Sequence, residues 1–350
     1  MGYLVSILVL SALIFFHELG HYTAARLMGV YVEVFSIGFG KKLFSFTKFN
    51  TQWSISAIPL GGYVKMKGQD DSDPTKKSYD PDSYNTKTPL QKMFILVAGP
   101  LANFILAFIL YFIIALGSPL AIAPVVGDIV QDSPAAHAGL QKDDTITAIN
   151  NTPVKTWKEM AKIISTSQGS LDVEVQRGGY IEHLVLTPEL KEAKNMYGEI
   201  IQRKMIGISS AGKTFRQNLT LGECFTYATQ QTIFASTMIF TGLQKLVTGD
   251  VPASEMGGVI SIVKITSDAA DAGWMSVLFF AALISVNLGV LNLLPIPALD
   301  GGHIMFNIYE LIFRREVNEA IMVKLTIAGW VILFGLMGLG LFNDINRLVG

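Results

Sequence analysis

The amino-acid sequence predicts a polytopic α-helical membrane protein. It should have four transmembrane helices, a β-hairpin between the first two, and a soluble domain inserted between the second and third. Half of the 350 residues are hydrophobic and only 16% are charged, whereas soluble globular proteins carry about 25% charged residues. The deficit is concentrated in long runs that contain no charge at all. The net charge of −1 gives no indication of a nucleic-acid partner or a strongly acidic partner.

Four segments are long and apolar enough to cross a bilayer, which requires roughly 20 residues of helix. They are residues 3–28, 93–116, 274–299 and 325–342. We expect the first to be a retained helix rather than a signal peptide, because the first basic residue is Arg26 and no small-residue cleavage site follows the apolar run. A fifth stretch, residues 221–247, carries scattered polar side chains and either spans the membrane or lies in its interface.

Basic residues predict the orientation of these helices, because Lys and Arg accumulate in cytoplasmic loops. The loop between the first two helices is rich in lysine, from Lys41 to Lys92, and the loop between the last two contains Arg314, Arg315 and Lys324. Both loops are therefore expected on the cytoplasmic side. Residues 121–273 are expected on the opposite side.

The first helix contains a metal-binding motif, His17-Glu18-Leu19-Gly20-His21. Residues four apart lie on one face of a helix, so His17 and His21 can bind one zinc ion. Glu18 lies beside them and can serve as general base for the attacking water. A match to His-Glu-x-x-His by chance is expected in at most roughly a few per cent of chains of this length. Ionisable residues in an apolar helix are costly, which favours a functional role.

A second motif, Asn292-Leu-Leu-Pro-Ile-Pro-Ala-Leu-Asp300-Gly, ends the third apolar run. Its two prolines interrupt the helix and release backbone groups. Asp300 is the natural third zinc ligand, because a catalytic zinc usually has three protein ligands and an open fourth position. Taken alone, Asp300 would be a solvent-facing residue at a helix end. Together with His17 and His21 it is predicted to bind Zn²⁺.

Residues 52–67 alternate in polarity and are interrupted by Pro59-Leu60-Gly61-Gly62. This pattern predicts a β-hairpin that turns at these four residues.

The two zinc motifs resemble those of the site-2 protease family of intramembrane metalloproteases, and most closely the bacterial regulator of sigma-E protease type, which releases an envelope-stress sigma factor. Residues 58–66, the Gly99-x-x-x-Asn103 pattern, residues 284–291 and residues 341–344 are also similar to that family. The resemblance covers nearly the whole chain.

The resemblance implies a role for each motif. His17, His21 and Asp300 would bind zinc, and Glu18 would be general base and proton shuttle. Asn292 would hydrogen-bond the substrate backbone or the developing oxyanion, although it could equally bond a neighbouring helix.

In this family the hairpin is membrane-associated and presents an edge to the substrate. This implies substrate contacts at Ile58, Gly61, Gly62 and Tyr63. A helix in lipid must unwind before it is cut, and an exposed edge strand offers replacement hydrogen bonds. A purely structural cytoplasmic hairpin is the alternative.

The insert between the second and third helices resembles a bacterial PDZ domain in residues 125–130, 133–140 and 144–150. Residues 171–175 alternate as a half-buried strand, and residues 156–164 form an amphipathic helical pattern. PDZ domains bind extended peptides, so the resemblance implies that this domain holds a peptide or screens substrates.

Three features depart from the family. One PDZ domain fits where the best-known relatives have two. Asp143-Asp144 replaces Gly-Asp, and Met256-Gly257-Gly258 replaces Ser-Gly-Pro.

The zinc site also bears on residues 221–247. The histidines lie late in the first helix and Asp300 lies at the end of the third apolar run, so these two helices must run parallel to share one depth. Parallel helices need an odd number of crossings between them, and residues 93–116 supply one. Residues 221–247 are therefore expected on the outer surface.

The predicted organisation has four parts. Residues 1–120 form the first catalytic half, 121–190 the PDZ domain, 191–273 a segment with a surface helix, and 274–350 the second catalytic half. The expected location is the bacterial inner membrane, with the PDZ domain on the periplasmic side. Transmembrane protein substrates and lipids are the expected partners.

Two other functions agree less well with the sequence. A scaffold with structural zinc would not need Glu18 or an open position. A metal transporter would carry further polar residues through its helices.

Overall fold

The computed structural model describes residues 2–69, 78–195 and 197–349, with the backbone alone at Pro59 and Leu60. It divides into two compact units: the first comprises Met1–Ala115 and Leu221–Gly350, and the second is Leu116–Thr220.

Within the described residues the helices are α1 Gly2–Leu27, α2 Pro89–Leu116, α3 Pro134–His137, α4 Trp157–Thr166, α5 Leu221–Thr248, α6 Val259–Ala272, α7 Trp274–Asn292, α8 Asp300–Phe313 and α9 Glu319–Val349. The strands are β1 Val32–Lys48, β2 Thr51–Met66, β3 Leu120–Ile122, β4 Val126–Ile129, β5 Thr145–Ile149, β6 Thr152–Pro153, β7 Leu171–Arg177, β8 Tyr180–Leu186, β9 Glu189–Lys194, β10 Ile200–Met205, β11 Ile208–Ser210 and β12 Thr214–Arg216.

Among the residues that the structure describes, four helices are long and apolar enough to cross a membrane: α1, α2, α7 and α9. They correspond to the four runs predicted from the sequence, so that count is confirmed. In the part of the chain that the structure describes, α5 does not meet these criteria. Its position on the outer surface remains a prediction.

The first helix approaches the second very closely. A Cβ atom on Gly20 would lie 2.2 Å from the backbone oxygen of Ala98 in α2. Small residues allow such contacts between apolar helices, where dispersion forces replace the hydrophobic effect. Leu13, Leu106 and Ile284 form a further buried cluster that joins α1, α2 and α7. This packing places the His-containing face of α1 against α2.

The third apolar run is shorter than predicted. The sequence analysis extended it to residue 299, but α7 ends at Asn292 and a new helix, α8, begins at Asp300. Pro295 and Pro297 have no backbone N–H and cannot continue the hydrogen-bonding pattern of α7. Asp300 is thus the first residue of a helix, where the helix dipole stabilises a carboxylate. Neither α8 nor α6 was predicted as a separate helix.

The strands β1 and β2 form a hairpin whose turn is Phe49-Asn50, both with positive φ (53° and 57°). Residues 34–37 of β1 have partners on both sides. They face residues 62–65 of β2 on one side and residues 52–55 on the other, and this second set of partners advances in parallel. The result is a four-stranded layer in the order 62–66, 32–37, 51–56 and 42–48.

The predicted hairpin over residues 52–67 is therefore wrong in its pairing. The chain does reverse direction between its two arms, but the arms do not pair with each other. Residues 32–37 lie between them because Val32 and Phe35 are buried, which holds this segment in the centre of the layer. Residues 62–66 consequently form one outer edge of the layer, and we call them the edge segment.

The second unit contains a four-stranded sheet in the order β6-β5-β7-β8, and three further strand pairs: β4 with β11, β3 with β12, and β9 with β10. Its core includes Ile146, Ile149, Val173, Met160 and Ile206. A capping box of Thr156 and Glu159 begins α4. The unit is longer than the predicted 121–190, because β11 and β12 return to pair with β4 and β3.

A buried ion pair stabilises the second unit. The Asp144 carboxylate is almost fully buried and receives hydrogen bonds from Arg177 (2.7 and 2.8 Å) and from the backbone N–H of Gln141 (2.8 Å). Burial raises the pKa of Asp144, but these hydrogen bonds outweigh it and the net pKa is lowered. Asp143 adopts φ +68°. Asp tolerates this left-handed conformation better than most residues.

Candidate metal centre

Three side chains from two distant parts of the chain converge in the first unit. His17 and His21 lie one turn apart in α1, and Asp300 lies at the start of α8. The Nε2 atoms of the two histidines are 3.2 Å apart, and each is 3.3 Å from Oδ2 of Asp300. The structure thus brings together all three ligands predicted from the sequence.

These distances fit a tetrahedral zinc site. With zinc–ligand bonds of 2.0–2.2 Å, neighbouring ligand atoms in a tetrahedron lie roughly 3.3–3.5 Å apart. The three atoms therefore form one face of such a tetrahedron, and the fourth corner is left for water or substrate. Oδ2 of Asp300 is buried and accepts no hydrogen bond. A buried carboxylate oxygen without a partner is costly, and a metal ion would remove this cost.

The second helix supports both histidines. Nδ1 of His21 lies 2.9 Å from the carbonyl oxygen of Ile95, and Nδ1 of His17 lies 3.2 Å from the side-chain amide of Asn103. Gly99 lies between Ile95 and Asn103 in α2, and a Cβ atom on Gly99 would be 2.2 Å from Nε2 of His21. The Gly99-x-x-x-Asn103 pattern was noted in the sequence only as part of a family resemblance. Its contacts with the histidines were not predicted.

A cavity of about 760 Å³ opens at the metal centre. It is lined by His17, Glu18, His21 and Asp300, and Asn292 borders it from the end of α7. The predicted general base therefore lies beside the predicted ligands.

The edge segment forms one wall of this cavity. Gly62, Tyr63 and the following residues to Met66 line it. A Cβ atom on Gly62 would lie 3.0 Å from Cγ of Glu18, so the edge segment passes next to the general base. In the described residues no strand pairs with the side of the edge segment opposite β1.

Two of the predicted substrate residues lie elsewhere. Ile58 is exposed and does not line the cavity. Gly61 packs on the ring of Phe39, where a Cβ atom would lie 2.0 Å from the nearest ring carbon. Phe39 itself lines the cavity, although the sequence analysis did not name it.

An ion pair lies farther along the same cavity. Nζ of Lys92 in α2 is 3.2 Å from Oε2 of Glu310 in α8, and the Lys92 side chain is only 9% exposed. The pair joins the helix that supports the histidines to the helix that carries Asp300. Sequence reasoning missed it, because the two residues are 218 positions apart.

Comparisons with known proteins agree with this chemistry. The sequence model of peptidase family M50 matches residues 5–336. A Campylobacter jejuni protein named "Putative zinc metalloprotease" is 46% identical over 348 residues, which is 99% of this chain and 94% of the relative. A Helicobacter pylori protein with the same description is 40% identical, with 99% of this chain and 100% of the relative covered. One from Clostridium acetobutylicum is 36% identical, with 97% and 96% covered.

One solved structure is similar to a short part of the chain. It is the PDZ domain of an SdrC-like protein from Listeria monocytogenes, with 22% identity over 26% of this chain and 87% of that chain, and a TM-score of 0.21. A TM-score this low carries no argument about the second unit.

Proposed function

This chain belongs to peptidase family M50, and from that premise we propose that its zinc centre hydrolyses peptide bonds within the membrane-spanning segments of other membrane proteins. The chain is a zinc metalloendopeptidase and a multi-pass membrane protein. The observation that carries the proposal is the placement of the site. His17 and His21 lie within α1, a helix apolar enough to span a bilayer, and Oδ2 of Asp300 lies 3.3 Å from Nε2 of each.

The proposed ligands are His17, His21 and Asp300, and the proposed general base is Glu18. When bound there, zinc would supply Lewis acidity, which polarises the scissile carbonyl and lowers the pKa of the attacking water. The Glu18 carboxylate accepts the proton of that water and delivers it to the leaving amine. The Asn292 amide, at the rim of the same cavity, donates a hydrogen bond to the substrate backbone or to the developing oxyanion.

Replacement of the base tests this assignment. Glu18→Gln should retain zinc and the fold but lose nearly all cleavage of a transmembrane reporter substrate, because an amide does not accept the proton. Glu319→Gln makes the same chemical change at another cavity-lining carboxylate and should cleave normally. Cleavage by Glu18→Gln near the wild-type rate would remove Glu18 from the mechanism.

We assign the edge segment to substrate binding by strand addition. A transmembrane helix bonds all its backbone groups internally, so it must unwind before a peptide bond becomes accessible. The edge segment runs along the cavity wall, beginning next to Glu18, and among the described residues no strand pairs with its side opposite β1. An extended substrate paired there would exchange helical hydrogen bonds for strand hydrogen bonds.

Proline substitutions in the edge segment test this role. In an antiparallel pair, successive residues direct their N–H groups to opposite sides. Prolines at Tyr63 and Lys65 should therefore behave alike, and a proline at Val64 should differ. Proline at the positions whose N–H groups face β1 should lower the thermal stability, because it removes a hydrogen bond of the sheet. Proline at the positions whose N–H groups face away from β1 should leave the stability unchanged but slow cleavage. The rate should fall by about fivefold for each lost hydrogen bond to the substrate, since such a bond contributes about 1 kcal/mol.

Alanine at the same three positions keeps the N–H group and is the matched control. Slowing should be greatest for leucine-rich substrate helices and smaller for helices weakened by Gly or Pro, which unwind at lower cost. If every folded proline variant cleaves like its alanine control, the edge segment does not pair with substrate. Ser54 and Ser56 are unsuitable for this test, because they are buried in the centrally paired segment 51–56.

The roles that we propose for the second unit and for the physiological substrates rest on the resemblance of the sequence to site-2 proteases and to bacterial PDZ domains. The second unit acts as a PDZ domain on the periplasmic side of a bacterial inner membrane and holds a peptide or screens substrates. The physiological reaction is regulated intramembrane proteolysis, with an anti-sigma factor or remnant signal peptides as targets. Substrate trapping by the Glu18→Gln protein, followed by mass spectrometry of the captured proteins, tests the targets directly.

A further inference from the structure

The two proposed histidine ligands are held by different kinds of group on α2. His21 meets the backbone carbonyl of Ile95 through Nδ1. A carbonyl oxygen accepts hydrogen bonds and cannot donate them, so Nδ1 of His21 carries the proton. Nε2 is therefore the ring nitrogen of His21 that is left to bind the metal.

His17 is different because its partner is a side-chain amide. Nδ2 of Asn103 lies 3.2 Å from Nδ1 of His17. An amide nitrogen donates, so with the amide in this orientation Nδ1 of His17 is the acceptor and the ring proton belongs on Nε2, the atom 3.3 Å from Oδ2 of Asp300. That tautomer has no lone pair available for a metal at Nε2.

The other end of the same amide has no partner. Oδ1 of Asn103 is buried and accepts no hydrogen bond, and the whole residue is fully buried. A half-turn about the bond between Cβ and Cγ would exchange the oxygen and nitrogen atoms. Oδ1 would then accept a hydrogen bond from Nδ1–H of His17, and Nε2 would present its lone pair at the centre.

We propose that Asn103 is a positioning residue whose amide selects the metal-binding tautomer of His17. As zinc binds, the amide turns over and the imidazole proton moves from Nε2 to Nδ1, so His17 binds the metal without net loss of a proton. Partners of this kind, which orient a ligating histidine, typically change metal affinity by 10- to 100-fold when they are removed. The inference rests on the proposed ligand set, in which His17 binds zinc.

Zinc affinity, measured by chelator competition on the purified full-length protein in detergent, tests the proposal. Asn103→Leu should bind zinc about 10- to 100-fold more weakly, because it lacks an acceptor for Nδ1–H. Asn103→Asp keeps the acceptor and should bind zinc at least as tightly as the wild type. Ser285→Ala is the control: it removes a buried 2.8 Å hydrogen bond to the backbone oxygen of Asn103 without touching His17, and it should leave zinc affinity unchanged.

His17→Ala separates this proposal from the ligand assignment. Normal zinc affinity in His17→Ala would show that the ligand set itself is wrong. Loss of zinc in His17→Ala combined with normal affinity in Asn103→Leu, or equal weakening in Asn103→Leu and Asn103→Asp, would overturn the role of Asn103 alone.

Nitrogen-15 NMR of histidine-labelled wild-type protein provides a readout that does not depend on any variant folding. At mildly alkaline pH, His17 should change from the Nε2–H to the Nδ1–H tautomer when zinc is added, whereas His21 should keep its proton on Nδ1. The same tautomer of His17 with and without zinc would contradict the proposal.

Discussion

Gly99 is the position where the smallest change should do the most damage to the metal centre. An alanine Cβ at this position would lie 2.2 Å from Nε2 of His21, and 2.5 and 2.7 Å from the neighbouring ring carbons. Ordinary contacts begin near 3.4 Å, so the ring must move by about 1.2 Å. Zinc–ligand distances tolerate only about 0.2 Å. Gly99→Ala should therefore lower zinc affinity by more than about 100-fold, beyond the usual effect of residues around a ligand.

Helix propensity cannot explain a loss of zinc affinity in Gly99→Ala, because it favours the substitution. Alanine in a helix interior is favoured over glycine by about 1 kcal/mol, so α2 itself should not be weakened. Gly335→Ala, in α9, places its Cβ in open space and should bind zinc normally. Zinc affinity is measured by chelator competition, and thermal unfolding is followed in parallel.

A double variant identifies the clash as the cause. When His21 is already alanine, the ring is gone and Gly99→Ala should add no further loss of stability. Gly99→Ala with normal zinc affinity and normal cleavage would refute the reasoning, because α2 would then not hold the His21 ring at this distance.

Three further predictions concern other parts of the chain. The pKa of Asp144 is lowered in the folded unit, so the stability that Asp144 contributes should be complete above its unfolded pKa of about 4 and lost as the pH falls below that value. Hydrogen exchange of the second unit in the wild-type protein should show this loss of protection at low pH. In Asp144→Asn, the protection should depend less on pH. Lys92→Met should lower the stability to thermal unfolding by about 1–3 kcal/mol, because it leaves the partly buried Glu310 carboxylate without its cation. Adding Glu310→Met should restore most of this loss, whereas additive losses would show that the two side chains are not coupled. A topology reporter placed after α5 should report the same side as one in the second unit, and a reporter after Arg315 the opposite side; opposite sides for the first two would remove the four-helix topology.

Local patterns in the sequence were sufficient to predict the four apolar helices and the three residues proposed as metal ligands. Apolar length alone predicts α1, α2, α7 and α9, because each helix satisfies its own backbone in lipid. The spacing of His17 and His21 is a property of one helix, so the sequence alone predicts that they share one metal ion. Asp300 was predicted because zinc chemistry requires a third ligand, and the structure places it at the required distance.

The tertiary structure decided what depends on pairing between distant segments. The order of the four-stranded layer could not be predicted from the sequence. Residues 34–37 pair with a segment on each side, and alternation in polarity does not indicate which segment lies at the centre of a sheet. Burial of Val32 and Phe35 makes that choice. As a result, the edge at the cavity is residues 62–66 rather than a hairpin over residues 52–67.

The support of the metal centre is also a tertiary property. Sequence spacing cannot show that Gly99 leaves room for His21, or that Asn103 faces His17, because these contacts depend on how closely α1 and α2 approach at Gly20. The sequence by itself therefore determined the zinc chemistry and the membrane context of this protein. Only the packing of α1 against α2 decided how the ligands are oriented, because hydrogen bonds across two helices depend on their separation and rotation.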